Sequence, residues 1–222
     1  MTYFFQMGEA YKYIDLLIKG MWLTLSLSAL SIIIGLLTGW IVAIWKVSEK
    51  KILSIIASVY IEFWRNTPLL IQVFFVYYGF TALTGLSFTA YQAGLLAIIL
   101  NTTAYNAEIL RGGIQAIPKV QIEAAKALGL DSFHIWYTVI IPYVHRIVFP
   151  SLINQFVLII LGTSLLSVIA VPELMNEAKE LQALTGRTIE IYLLIAGIYV
   201  GIIFIFSAIM RFIEGKFFTL RH

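Results

Sequence analysis

Apolar residues run through this chain in stretches too long for the interior of a water-soluble domain. No charge interrupts Gly20 to Trp45, Ile147 to Pro172 or Ile191 to Met210, and none falls between Arg65 and Glu108. A helix needs about 20 apolar residues to cross the hydrocarbon core, so such gaps count crossings. The interval from Arg65 to Glu108 holds two, with Gly79, Thr84, Gly85 and Ser87 marking a short connection between them. Ile52 to Ile61 is too short alone, so the second crossing runs Leu53 to Tyr78 with a break near Pro68. The pattern predicts an all-α polytopic membrane protein of about five transmembrane helices, with residues 1–222 forming one domain.

Composition agrees. Of the 222 residues 60% are hydrophobic and 12% charged, against about 25% charged in soluble domains. A mean hydropathy of +0.91 makes lipid the solvent for most of the surface. There is no cysteine, so no disulfide framework. The net charge of +3 is scattered among apolar runs and forms no basic block, which excludes a nucleic-acid partner and leaves orientation as its use. Lys46, Lys50 and Lys51 follow the first crossing, Arg111, Lys119, Lys126 and Arg146 the third, and Arg211, Lys216 and Arg221 the fifth. By the positive-inside rule these segments are cytoplasmic, with the N-terminus outside and the C-terminus inside. Residues 1–19 mix Tyr3, Phe4, Phe5, Tyr11 and Tyr13 with charges, as an interfacial segment does, and the long apolar run after them favours a retained helix over a cleaved signal.

The segment between Arg111 and Arg146 is too helix-forming for a loop. Pro118 suits a first helical position, Ala124, Ala125 and Ala127 favour helix, Gly129 suits a C-terminal cap, and Asp131 or Ser132 can start the next helix. A short helix with small side chains at the membrane surface, residues 119–130, reads either as an interfacial anchor or as a knob for another protein's groove.

Glu123-Ala124-Ala125, with Gly129 after three residues and then Val139, Ile141 and Pro142, resembles the EAA loop of the permease subunits of ABC importers. Val139 and Ile141 depart conservatively from that pattern. Phe63-Trp64-Arg65-Asn66-Thr67-Pro68-Leu69-Leu70-Ile71-Gln72, and Asn101 to Tyr105 on through Ala107-Glu108-Ile109 to Ile114, are similar to the polar amino-acid branch; Asn66 stands where many relatives have glycine. The resemblance covers residues 20 to 215. It implies a five- or six-span core in a bacterial-type inner membrane, paired with a second permease (the same chain or a different one), an ATP-binding cassette subunit dimer and an extracytoplasmic solute-binding protein. Glu123, Ala124, Ala125 and Gly129 would then belong to a coupling helix seated in the ATPase cleft. This chain would bind no cofactor, ATP and Mg²⁺ lying on the partner.

Candidate ligand contacts come from polar residues inside spans, which are costly unless paired or solvated. Glu62 and Arg65, three apart, form either a structural pair or part of a lining. Asn101, Tyr105 and Glu108 make one stripe at i, i+4 and i+7, though Glu108 is also within reach of Arg111. In the fourth span Thr163, Ser164 and Ser167 follow Gly162, with Ser151, Asn154 and Gln155 nearer its start; the hydroxyls either bond back to the helix or line a break. If they line it, Glu62 or Glu108 faces a ligand ammonium while Thr163, Ser164 and backbone N–H groups receive a carboxylate. The acidic excess points to a basic amino acid such as arginine or lysine, with glutamine and histidine next.

No phosphate loop is present, since Gly112-Gly113 lacks the lysine and hydroxyl that must follow. His134, His145 and His222 have no metal-ligand spacing, so neither a metal nor an enzyme is expected. The rival functions are a gradient-driven secondary carrier using Glu62 and Glu108, and a membrane-anchoring assembly subunit without a pathway.

Overall fold

The computed structural model describes Gly8 and residues 11 to 217, with side chains to 216. From Ile14 to Phe217 the described residues form eight successive helical segments: α1 (Ile14–Val47), α2 (Lys51–Arg65), α3 (Leu69–Thr84), α4 (Ala90–Gln115), α5 (Lys119–Ala127), α6 (Ser132–Ile169), α7 (Leu174–Thr185) and α8 (Thr188–Phe217). α1, α4, α6 and α8 are each long and apolar enough to cross a bilayer. The pair α2 and α3 is long and apolar enough only when taken together, and it is bent by 105° at Asn66–Pro68, where proline removes a backbone donor, so the expected count of five crossings holds if the pair is one broken span. The expected interfacial segment lies largely outside the described residues, and from Ile14 onward it is the beginning of α1.

Local chemistry explains the boundaries. α3 ends at Gly85, whose φ of +73° is open to glycine. α4 begins with a capping box: Thr89 Oγ1 accepts from the Gln92 N–H at 3.2 Å while Gln92 Oε1 accepts from the Thr89 N–H at 3.0 Å. Asp131 caps α6 through the His134 N–H at 2.8 Å, and this backbone bond, followed by His134's side chain, holds its carboxyl below the ordinary range.

α4 is the axis of the bundle. More than half of its most apolar stretch is buried (56%), against 11% for α8, which leaves most of its surface to lipid or to another chain. α1 runs parallel to α4 and meets it with a row of small residues, Ser28, Ser31, Gly35 and Gly39. A Cβ at Gly35 would lie 2.5 Å from Thr102 Cγ2, so only glycine permits this approach. α6 packs antiparallel to α4, Gly113 lying on Val144 and Val148 at one end and Gly94 on Leu166 at the other.

α7 is a helix that the hydropathy pattern does not reveal. It closes the end of the bundle opposite α5, with Leu174 against Gly20 of α1 and Tyr192, Ile195 and Tyr199 of α8 nearby. Its cap is Glu173, fully buried, which accepts from the Asn176 and Met175 N–H groups at 2.8 and 3.0 Å and from the Tyr199 hydroxyl at 3.3 Å. Burial raises its pKa above the ordinary carboxylate value despite these donors.

Candidate functional site

The bend between α2 and α3 frees backbone carbonyls from the helical ladder, and buried carbonyls there need partners. Gln72, 3% exposed, supplies them. Its Nε2 donates to the Trp64 carbonyl at 2.7 Å and to the carbonyl and hydroxyl of Thr67 at 3.0 and 2.8 Å, while its Oε1 accepts from Asn101 Nδ2 at 2.9 Å. Asn101 also donates to the Trp64 carbonyl at 3.3 Å, and the Tyr105 hydroxyl donates to the Arg65 carbonyl at 3.4 Å. Two residues of the α4 stripe thus brace the break.

Beside the break lies a cavity of about 420 Å³ lined by Arg65, Asn66, Thr67, Pro68, Leu69, Ile98, Asn101, Thr102, Tyr105, Gln155, Leu158 and Ile159. Its single charged wall residue is Arg65, whose guanidinium lies 5.4 Å from the Tyr105 ring centroid. Several polar groups around it have no hydrogen-bond partner among the described residues. Arg65 Nε and Thr102 Oγ1 are buried and unpaired, and no described residue bonds the Gln155 amide. Buried polar groups are normally satisfied; Ser31 and Asn106 are unpaired as well, away from the cavity, while Arg65 and Thr102 hold theirs on its wall, where a polar guest can meet them.

The acidic candidates are engaged elsewhere. Glu108 receives Arg111 through two bonds, Nε to Oε2 at 2.9 Å and Nη2 to Oε1 at 2.6 Å, and Arg65 Nη1 approaches the same carboxylate at 3.7 Å. Glu62 accepts from Asn66 Nδ2 at 2.8 Å and forms no ion pair with Arg65. Neither glutamate lines the cavity. In α6 the Thr163 hydroxyl donates to the Ile160 carbonyl and the Ser164 hydroxyl to the Leu161 carbonyl, each at 2.7 Å, while Ser167 offers its carbonyl to Lys179 at 3.3 Å. Thr163 and Ser164 follow the bonded-back alternative, and all three residues lie outside the cavity, whereas Asn101 and Tyr105 line it. Gln72 and Thr102 are not among the expected contacts, and Gln155 stands there only as part of the polar cluster near the start of its span; the sequence signal for Gln72 is an amide inside an apolar run four residues after proline.

A second surface stands at the α5 end. Pro118 precedes α5 and Gly129, at φ +78°, terminates it. Glu123 and Ala124 are exposed, with Val120 67% and Leu128 81% open beside them. Ala125 is buried against the chain's own core, because Ile135 and Ile140 close under α5, so it does not belong to the outward face. Among the described residues no cluster of His, Asp or Glu can hold a metal ion.

Residues 17–219 match the family described as the binding-protein-dependent transport system inner membrane component. A putative glutamine transport system permease protein of Rickettsia conorii is 34% identical over 206 residues, 93% of this chain and 94% of the relative. The nopaline transport system permease protein of Agrobacterium fabrum is 36% identical, covering 86% and 83%. Among solved structures, an amino acid ABC transporter crystallised with histidines shares 36% identity with a TM-score of 0.89 over 96% of this chain and all (100%) of that one. The inward-facing MetNI methionine transporter, at 18% identity and a TM-score of 0.73, shares the fold.

Proposed function

The chain belongs to the family of inner-membrane components of binding-protein-dependent transport systems, and from that premise we propose that it forms the translocation pathway of an ATP-driven importer for a polar amino acid. The observation that carries this reading is the cavity at the broken helix, whose volume of about 420 Å³ suits a single small ligand and whose wall holds unpaired polar atoms around one guanidinium. Arg65 receives the α-carboxylate, the pairing for which a guanidinium is best shaped. The amides of Asn101 and Gln155 and the Tyr105 ring meet the rest of the ligand.

The preference for a basic amino acid rested on acidic groups that are tied to Arg111, Arg65 and Asn66. The cavity wall favours a neutral polar side chain of the glutamine kind, and a glutamine transport permease stands among the relatives, alongside nopaline and octopine permeases.

The exposed face of α5 docks into a separate ATP-binding cassette dimer, which carries ATP and Mg²⁺; this chain binds neither. Exposed Val120 and Leu128 beside the small Ala124 support that role, since apolar groups facing water away from the lipid mark an interface. The α5 end is cytoplasmic, as the lysines and arginines gathered there require, and the N-terminus faces outward. A second permease subunit completes the pathway and an extracytoplasmic solute-binding protein delivers the ligand. Closure and opening of the ATPase dimer move the α5 knobs and turn the cavity alternately to each side.

Reconstitution tests this directly. Vesicles holding the permease, its ATPase and its solute receptor should accumulate glutamine only with ATP, and Ala124→Trp should abolish ATPase co-purification while leaving membrane insertion intact. Uptake driven by an ion gradient without the ATPase would support a secondary carrier; no uptake by the complete assembly under either condition would support an anchor.

A further inference from the structure

The elbow between α1 and α2 holds a second cavity, of about 330 Å³, whose walls include Thr38, Val42 and Trp45 of α1, Ile56 and Tyr60 of α2 and Leu100 of α4. It has the opposite chemistry to the cavity at the helix break. Thr38 and Thr103 share a hydroxyl–hydroxyl bond of 2.6 Å, and Tyr60 donates to the Leu100 carbonyl at 2.7 Å. Every hydroxyl in the wall is therefore satisfied by the wall itself, and what remains to greet an occupant is hydrocarbon. A cavity of this kind does not hold water.

Its end is charged. Lys46 follows Trp45 on α1, and Lys50 and Lys51 stand at the turn into α2, where Lys50, Lys51, Ile52 and Leu53 line a hollow of their own. Ile52, Ile56 and Tyr60 recur four apart, so one face of α2 joins the hollow to the cavity. None of these lysines is ion-paired among the described residues, although Glu49 stands in the same turn and Glu108 feels the charge of Lys46; Lys46 donates to the Ser58 hydroxyl, which leaves further N–H groups on its ammonium. An apolar slot whose α1–α2 end carries three lysines against one glutamate is complementary to an acyl chain with an anionic head.

We propose that this elbow is a binding site for an anionic phospholipid, one acyl chain occupying the cavity and the phosphate meeting Lys46, Lys50 and Lys51. α2 leads directly into the bend at Asn66–Pro68, so the lipid would buttress the helix whose far end forms the polar cavity. The site does not depend on what the protein transports.

The full chain in nanodiscs of equal phosphatidylglycerol and phosphatidylcholine, with retained lipid read by native mass spectrometry, tests it. Phosphatidylglycerol should be retained in preference, and Lys50→Gln and Lys51→Gln, both at exposed positions, should each lower its retention about fivefold. Ile56→Trp, which fills the slot and leaves the lysines intact, should lower retention of both lipids. Equal retention of the two lipids by the unaltered chain, or no change in the lysine variants, would overturn the proposal. So would a disulfide-linked dimer of Ile56→Cys in the otherwise cysteine-free chain, which would show that a second copy covers the elbow.

Discussion

Two interruptions in the helices of this bundle have different consequences. Between α2 and α3 the chain turns through 105°, and its freed carbonyls are gathered by Gln72 of α3 together with Asn101 of α4. At Thr163–Ile169 of α6 the helix tightens to a 3-10 form, and the Thr163 and Ser164 hydroxyls bond back one turn within the same helix. The first interruption holds polar atoms open beside a cavity; the second is self-contained. A break in a transmembrane helix thus becomes a candidate site when side chains from other helices must complete it, and a packing adjustment when it completes itself.

Arg65 gives the largest expected contrast. Arg65→Gln should reduce ATP-driven uptake about a hundredfold, the loss of roughly 3 kcal/mol of charge-assisted bonding to a carboxylate, while Thr163→Ala should change it less than about twofold. Equal losses would erase the distinction between the two breaks. Next in size is Gln72→Leu, which leaves the Trp64 and Thr67 carbonyls buried without a donor and should cost about 3 kcal/mol of stability, read as a lowered unfolding midpoint in detergent. Ser164→Ala removes only a bond within its own turn and should cost less than about 1 kcal/mol by the same assay.

How far the sequence foretold this difference depends on the range of the interactions. Uncharged run lengths marked the crossings, Pro68 marked the bend, and Pro118 with Gly129 bounded α5, all signals within a few residues. The alternatives for Glu108 and Thr163 were visible, but choosing between them required knowing that Arg111 turns back on Glu108 and that Thr163 finds the Ile160 carbonyl. Gln155 joins the cavity from a helix more than 80 residues beyond Pro68, and no periodicity encodes that meeting. The burial of Ala125 was hidden for the same reason, and α7 was hidden because a short, charged helix lying across a bundle end has the composition of a loop.

Two smaller effects concern the end of the second interruption. Glu173 has its pKa raised by burial, so the folded state holds a proton that the unfolded chain releases at lower pH. Its contribution to stability is complete below the ordinary carboxylate range and is lost as pH rises through the raised value. Unfolding followed against pH should show this slope, and Glu173→Gln should flatten it. Ala170 stands at φ +57° where the 3-10 segment stops, a position glycine fills without strain. Ala170→Gly should stabilise the protein by about 0.5–1 kcal/mol, visible as a small rise in unfolding midpoint, with uptake unchanged.

The measurement closest to the central claim uses the absence of native cysteine. Leu158→Cys places one thiol on the cavity wall and Leu161→Cys, one turn along α6, places another outside it. In vesicles carrying the complete importer, glutamine should slow modification of the first by a water-soluble thiol reagent and leave the second unaffected. Modification of Leu158→Cys at the same rate with and without glutamine and the other polar amino acids would contradict the assignment of this cavity to the pathway.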